Sequence, residues 1–125
     1  MKLYLDDLRD HPEGWTRAYT AHQAISHLQS GDYDFASLDH DLDAYYYTSY
    51  HEGTYTGFHV VKYMAEHDIW PHLGVRIHTD NDWGRNNMQE LIETYSPYTN
   101  MYEGRPRTWS KHGISPSEGD IVIYK

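Results

Sequence analysis

The chain has 125 residues, the length of one ordinary domain, and 38% of them are hydrophobic, enough for a core because many are large aromatics. A formal net charge of −9 weighs against binding long duplex nucleic acid, which needs Lys and Arg on phosphate, but leaves room for a small phosphorylated ligand held locally by a metal and one or two arginines. Without cysteine there is no disulfide or thiolate chemistry, and without a leader or an apolar run of membrane-spanning length the expectation is a soluble cytoplasmic protein with no membrane contact.

Lys2–Asp7 reads as a buried strand, Leu8–Gly14 as a loop containing Pro12 and Gly14, and Trp15–Tyr19 as a short strand. Thr20 is a helix N-cap, with Gln23 completing a capping-box pattern. Ala21, Ala24, Ile25 and Leu28 follow at helical spacing and Gly31 stops the helix. Phe35–Asp39 is the second clear strand, and Asp43–Thr56 is a loop carrying Tyr45, Tyr46, Tyr47, Tyr50 and Tyr55. Gly57–His67 is a helix on Val60, Val61 and Met64, and Gly74–His78 is a strand. Trp83–Tyr95 is a helix with Met88, Leu91, Ile92 and Tyr95 on one face. Ser96–Gly119, with Pro97, Pro106 and Pro116, reads as irregular, and Ile121–Tyr124 as a terminal strand. Strands alternating with helices, with no repeat and no linker, predict one α/β domain over residues 1–125. One feature resists simple alternation. Only Leu8–Gly14 separates the first strand from the Trp15 segment, whereas a parallel crossover needs roughly a dozen residues. Either that segment is not a sheet strand, or a helix is missing.

Two apolar runs end in acids. Leu3-Tyr4-Leu5 delivers Asp6-Asp7, and Phe35-Ala36-Ser37-Leu38 delivers Asp39-His40-Asp41. In an open parallel sheet, ligands bind at those strand ends. Asp6, Asp7, Asp39 and Asp41 crowded there would repel one another without a cation, and hard oxygen ligands suit Mg²⁺ or Mn²⁺. The plainer alternative is a solvated strand end. His40, flanked by acids, suits a general acid, and His78 at the end of a third strand could supply the matching base for a phosphate ester. Each could instead be a structural histidine. Asp82 to Arg85 open a helix beside that edge, where free N–H groups attract phosphate. There Gly84 permits close approach, Arg85 can fork onto oxygens, and Asn86 or Asn87 adds a donor. Ordinary capping by Asn81 or Asp82 competes equally. Arg9 could neutralise the acidic pair or bind phosphate. Tyr45, Tyr46 and Tyr47 follow Asp41 directly and could stack a base, or simply pack their loop. His22, His27, His67 and His72 read as surface residues.

Asp6, Asp7 and Asp39 stand where the receiver domains of two-component signalling, which this chain resembles, hold Mg²⁺ and accept a phosphoryl group. That likeness implies that Thr79 contacts a phosphate oxygen. It departs in lacking the receiver lysine, with Arg85 offered instead, and in the missing helix. The closer resemblance is to the cyclic-phosphate-processing receiver-like family. It rests on Leu5-Asp6-Asp7-Leu8-Arg9, Ser37-Leu38-Asp39-His40-Asp41-Leu42, Ile77-His78 and Gly84-Arg85-Asn86-Asn87-Met88, in order over about residues 1–95. The resemblance implies a three-layer α/β fold with a mostly parallel sheet, a degraded receiver (flavodoxin-like) architecture. It also implies action on a cyclic-phosphate nucleotide or an RNA 2′,3′-cyclic-phosphate end rather than phosphorelay. The expected assignment follows: Asp6, Asp7, Asp39 and Asp41 on Mg or Mn, His40 and His78 as acid and base, Arg9, Thr79, Arg85 and Asn86 on phosphate. A non-catalytic cyclic-nucleotide-binding module is the alternative, and a true phospho-receiver the third reading.

Overall fold

The computed structural model describes residues 1–42, 55–103, 117 and 119–125. In chain order these form β1 (Lys2–Leu5), β2 (Thr16–Ala18), α1 (Ala21–Ser30), β3 (Phe35–Leu38), α2 (Gly57–His67), β4 (Gly74–Ile77), α3 (Asp82–Tyr95), β5 (Asn100–Glu103) and β6 (Ile121–Tyr124). The sheet order is β2-β1-β3-β4-β6-β5. The four strands β2, β1, β3 and β4 run parallel, and β6 pairs antiparallel with both β4 and β5. This is the receiver-like α/β arrangement with a mixed, mostly parallel sheet.

Side chains alternate across a strand, so each four-residue run feeds two faces. Leu3, Leu5, Ala36, Leu38, Val75, Ile77, Ile121 and Ile123 turn to one face. There they meet Ala21, Ala24 and Leu28 of α1, Val60, Val61 and Met64 of α2, and Met88 and Ile92 of α3 in one buried core. Phe35 and Val122 form a smaller cluster apart from it, with Trp15, Leu73, Tyr102 and Tyr124 packed around them. The expected third layer has no helix among the described residues. Its absence has a cause in the connections. Residues 6–15 join β1 to β2 without a helix, and after α3 the chain returns as antiparallel strands.

The doubtful Trp15 segment is therefore a true strand, with Thr16 opposite Leu3, and it is the helix that is missing. The segment read as irregular contains β5. Asn100 and Glu103 are weak strand formers and only Tyr102 is half-buried, so pairing with β6 rather than local propensity makes this strand. Thr20 caps α1 by accepting the Gln23 N–H at 3.1 Å, but Gln23 Oε1 accepts from Tyr19 N at 2.8 Å, one residue earlier than a capping box requires. The full box stands instead on α2, where Thr56 N donates to His59 Nδ1 at 3.0 Å. On α3 the buried stripe is Gly84, Met88 and Ile92, and Tyr95, expected on that face, is exposed on the last turn.

Candidate functional site

Register builds the site. Leu5 pairs with Leu38, and Leu38 with Ile77, so the residues just beyond them stand abreast. The ladders continue one step, with Asp39 N donating to Leu5 O at 2.9 Å and His78 N to Leu38 O at 2.9 Å. Asp6, Asp39 and His78 thus form a row at the C-terminal edge of three parallel strands.

Asp6, Asp7 and Asp39 each offer a carboxylate oxygen, and the three lie within 4.8 Å of one another. They line a cleft of about 250 Å³ with Leu8, Arg9, Asp41, Thr79 and Asp80. Asp6 is held rigidly. Its Oδ1 accepts from Leu8 N at 2.8 Å and Arg9 N at 2.9 Å, and its Oδ2 from His78 Nε2 at 3.0 Å. Burial pushes the Asp6 carboxyl up, but the bonds from His78, Arg9 and Leu8 outweigh it and hold it below its ordinary value. Asp39 goes the other way. Burial and the adjacent Asp6 charge push it up to about 7, against hydrogen bonds from the Thr79 hydroxyl and His40 N and the charge of Arg9. Two acids at one site thus ionise far apart. An all-carboxylate set with one poorly compensated member fits a hard divalent cation such as Mg²⁺ or Mn²⁺. Asp41 is not in this triad. Its Oδ1 accepts from Asn81 Nδ2 at 3.3 Å and pairs with His40 Nδ1 at 2.7 Å, which places it at the cleft wall as the partner of His40.

The two candidate histidines are not brought together. His40 lies on the helix side, its ring pressed against Gly84, where a Cβ would stand 2.4 Å from Cγ of the imidazole. The close approach Gly84 permits is that of His40. With Nδ1 on Asp41, His40 Nε2 takes no hydrogen bond from the described residues, and the ring lines a groove of about 610 Å³ between α2 and α3. His78 lies on the opposite face, stacked on Tyr4 at 4.7 Å, beside a different cavity of about 350 Å³. Both its nitrogens are engaged, Nδ1 with Ser37 Oγ at 2.6 Å and Nε2 with Asp6. Arg76 Nε donates to Ser37 Oγ at 2.7 Å. The network then assigns the tautomer: the Ser37 hydroxyl donates to Nδ1, and Nε2–H donates to Asp6. Burial lowers the His78 pKa, with the Asp6 bond opposing it, so the ring stays neutral in more acid solution than an ordinary imidazole does. His78 is an anchor for Asp6. Ser37 and Arg76 were assigned no role in the sequence, yet they sit two residues before Asp39 and His78, the period that puts strand residues on one face.

Of the phosphate candidates, Arg9 and Thr79 line the acid cleft. Arg9 Nη2 donates to Asp80 Oδ2 at 3.2 Å, and its Nε stands 3.9 Å from Asp6 Oδ2. Arg85 points elsewhere. Its Nη1 donates to Gly119 O at 3.1 Å and Thr79 O at 3.4 Å, and its Nη2 pairs with Asp82. Asn86 is exposed on α3. The α3 N-terminus is capped by its own Asn81, whose Oδ1 accepts from Gly84 N at 2.9 Å. Tyr45, Tyr46 and Tyr47 lie outside the described residues. No described helix is long and apolar enough to cross a membrane.

A family model described as the cyclic-phosphate processing receiver domain matches residues 1–94. Comparison with curated proteins and with solved structures gives no match. The matched span covers β1 through almost all of α3 and includes every residue of the acid cleft. The chain belongs to that family.

Proposed function

We propose that this family member is a metal-assisted phosphoesterase that opens a cyclic phosphate on a small nucleotide or an RNA 2′,3′-cyclic-phosphate end. The observation that carries the reading is the triad of Asp6, Asp7 and Asp39, with Asp39 held near neutrality by burial and by Asp6. The triad would hold Mg²⁺ or Mn²⁺, which when bound polarises phosphoryl oxygens and lowers the pKa of a coordinated water.

The chain's own residues supply the rest. Arg9 and the Thr79 hydroxyl sit on the cleft wall, where they orient phosphate oxygens. Hydrolysis forms one bond from water oxygen to phosphorus and breaks one phosphorus–oxygen bond of the ring. The oxygen released needs a proton, and His40 Nε2–H gives it. Asp41 on Nδ1 fixes the ring, with Nε2 left to face the ligand. A proton from the attacking water restores it. His78 acts at one remove, through Asp6.

The full engagement of His78 leaves one imidazole rather than two, and this favours the second reading, a non-catalytic module that captures cyclic nucleotides. One experiment separates them. Cyclic mononucleotides, cyclic dinucleotides and RNA 2′,3′-cyclic-phosphate ends are incubated with the protein and Mg²⁺ or Mn²⁺, and the products are resolved. A ring-opened monoester is expected. A tightly bound ligand recovered intact transfers the assignment to the binding module. For the metal, calorimetric titration with Mg²⁺ and Mn²⁺ should show binding that Asp7→Asn weakens while the metal-free fold stays at least as stable, since removing one acid relieves repulsion. Identical titrations of the two proteins would remove the metal from the reading.

A further inference from the structure

The groove of about 610 Å³ between α2 and α3 meets the phosphate chemistry just described only through His40, which lines it. Its size falls within the usual span of small-molecule sites. Phe58 and His59 face it from α2, and Trp83, Asn87 and Glu90 from α3. Trp83 is 72% exposed on the first turn of α3, a large aromatic surface left in water. Asn87 and Glu90 follow it at four and seven residues, so they share its side of the helix. An aromatic platform is thus followed by an amide that both gives and accepts, then by a carboxylate that only accepts. One bonded pair lies between the groove and the acid cleft. His40 lines the groove, and the Asp41 bonded to its Nδ1 lines the cleft.

We propose that this groove is a base subsite, holding the nucleobase of a nucleoside cyclic phosphate against Trp83 while the phosphate enters the acid cleft. The proposal rests on the phosphoester reading of that cleft. Stacking is tolerant, because every base presents a π-face. Selectivity comes from the edge. The Glu90 carboxylate accepts from an exocyclic amino group and repels a carbonyl oxygen, so adenine and cytosine are held better than uracil. His40, at the junction, meets the ligand between base and phosphate, where the oxygen that leaves phosphorus lies.

The test is equilibrium binding to the full chain with Mg²⁺, read before product forms. The probes are the 2′,3′-cyclic phosphates of adenosine, cytidine and uridine, and ribose 2′,3′-cyclic phosphate without a base. Adenosine and cytidine probes should bind roughly 10- to 100-fold more tightly than the base-free probe, the range that stacking supplies. The uridine probe should fall between. Trp83→Ala should remove most of that ratio and Trp83→Phe should keep most of it. Both variants should fold, since Trp83 is largely exposed. If the base-free probe binds as tightly as the nucleotides, the base subsite is overturned and the phosphate reading stands. A nucleotide preference that survives Trp83→Ala places the base elsewhere and also overturns the proposal. If none of the four probes binds, both readings fall together.

Discussion

His40 and His78 end neighbouring parallel strands, and both lie buried near the same carboxylates, yet the molecule uses them in opposite ways. His78 spends both ring nitrogens on protein partners, Ser37 and Asp6, at the end of a chain that begins at Arg76. Among the described residues His40 spends one, on Asp41, and its ring lines the groove between α2 and α3. The difference follows from strand alternation. His78 follows Ile77 onto the face that carries Tyr4, Ser37 and Arg76, while His40 lies one step beyond the row, on the side packed by α3. A histidine with a nitrogen to spare can move a proton. One with none can only hold its neighbours in place.

The sharpest way to break that comparison is to remove each ring in turn. His40→Ala should lower turnover by about 10²–10⁴-fold, the usual contribution of a general acid or base, with a much smaller loss in ligand affinity. Initial rates beside equilibrium binding check it. Equal losses in both would mean that His40 holds the ligand rather than serving the reaction.

His78→Ala should act on metal affinity and stability first. Loss of a partner that orients a metal ligand typically costs about 10–100-fold in affinity, and each buried polar group left unpaired costs about 1–3 kcal/mol. Asp6 Oδ2 and Ser37 Oγ both lose a partner here. Saturating Mg²⁺ or Mn²⁺ should therefore restore much of the activity of His78→Ala and none of that of His40→Ala. Rescue of both, or of neither, erases the distinction between proton carrier and anchor.

The gathering of Asp6, Asp7 and Asp39 at one sheet edge was legible from the sequence because a short apolar run ending in charge announces both a strand and its open edge. The fates of the histidines were not, because they depend on which strand lies alongside. Ser37 reaches His78 only because β3 and β4 pair with Leu38 opposite Ile77. A slip of one residue would move it to the other face. Asp41 was grouped with the metal acids by proximity in sequence. Its Oδ1 is taken instead by His40 Nδ1 and by Nδ2 of the capping Asn81. The strand β5 was hidden because its stability comes from a partner further along the chain, with Asn100 opposite Tyr124, and Gly84 suggested phosphate because nothing in the sequence announces a ring packed on a helix.

Asp6 and Asp39 extend the comparison to carboxylates, and pH separates them. Asp39 has a folded pKa of about 7, above its unfolded value of 3.8, so the folded state binds its proton more tightly. Its contribution is fully present below the unfolded value and is lost as pH rises through about 7. Asp6 is held below its unfolded value, so its contribution is present above 3.8 and lost on further acidification. Without divalent ions, Asp39→Asn should flatten the fall in stability between about pH 4 and 8. At the upper end it should be more stable than wild type by roughly 1–3 kcal/mol, allowing for solvent at the cleft mouth. Denaturant melts across that range measure it. A wild-type profile that rises toward pH 8 with the same slope as the variant would mean that Asp39 is ionised without strain.

The smallest effect expected separates two arginines. Arg9 faces the acid cleft, half-exposed, with Asp6 and Asp80 as neighbours, and its backbone N–H already holds Asp6. Arg85 sits on α3 and spends its guanidinium on Thr79 O, Gly119 O and Asp82. A phosphate drawn to the cleft meets Arg9 without breaking a buried contact, whereas Arg85 would first have to give up two carbonyls. Arg9→Ala should therefore weaken binding of a cyclic phosphate more than Arg85→Ala does, and it should make binding less sensitive to salt. Arg85→Ala should leave affinity within a few-fold of wild type and cost about 1–2 kcal/mol of stability, because the Thr79 and Gly119 carbonyls lose a donor. Titrations of the two variants with one cyclic mononucleotide at two salt concentrations decide it. The reverse order of losses would put the phosphate at the N-terminus of α3, with Asn86 and the capped turn as its seat, and would move the reacting centre away from the row of Asp6, Asp39 and His78.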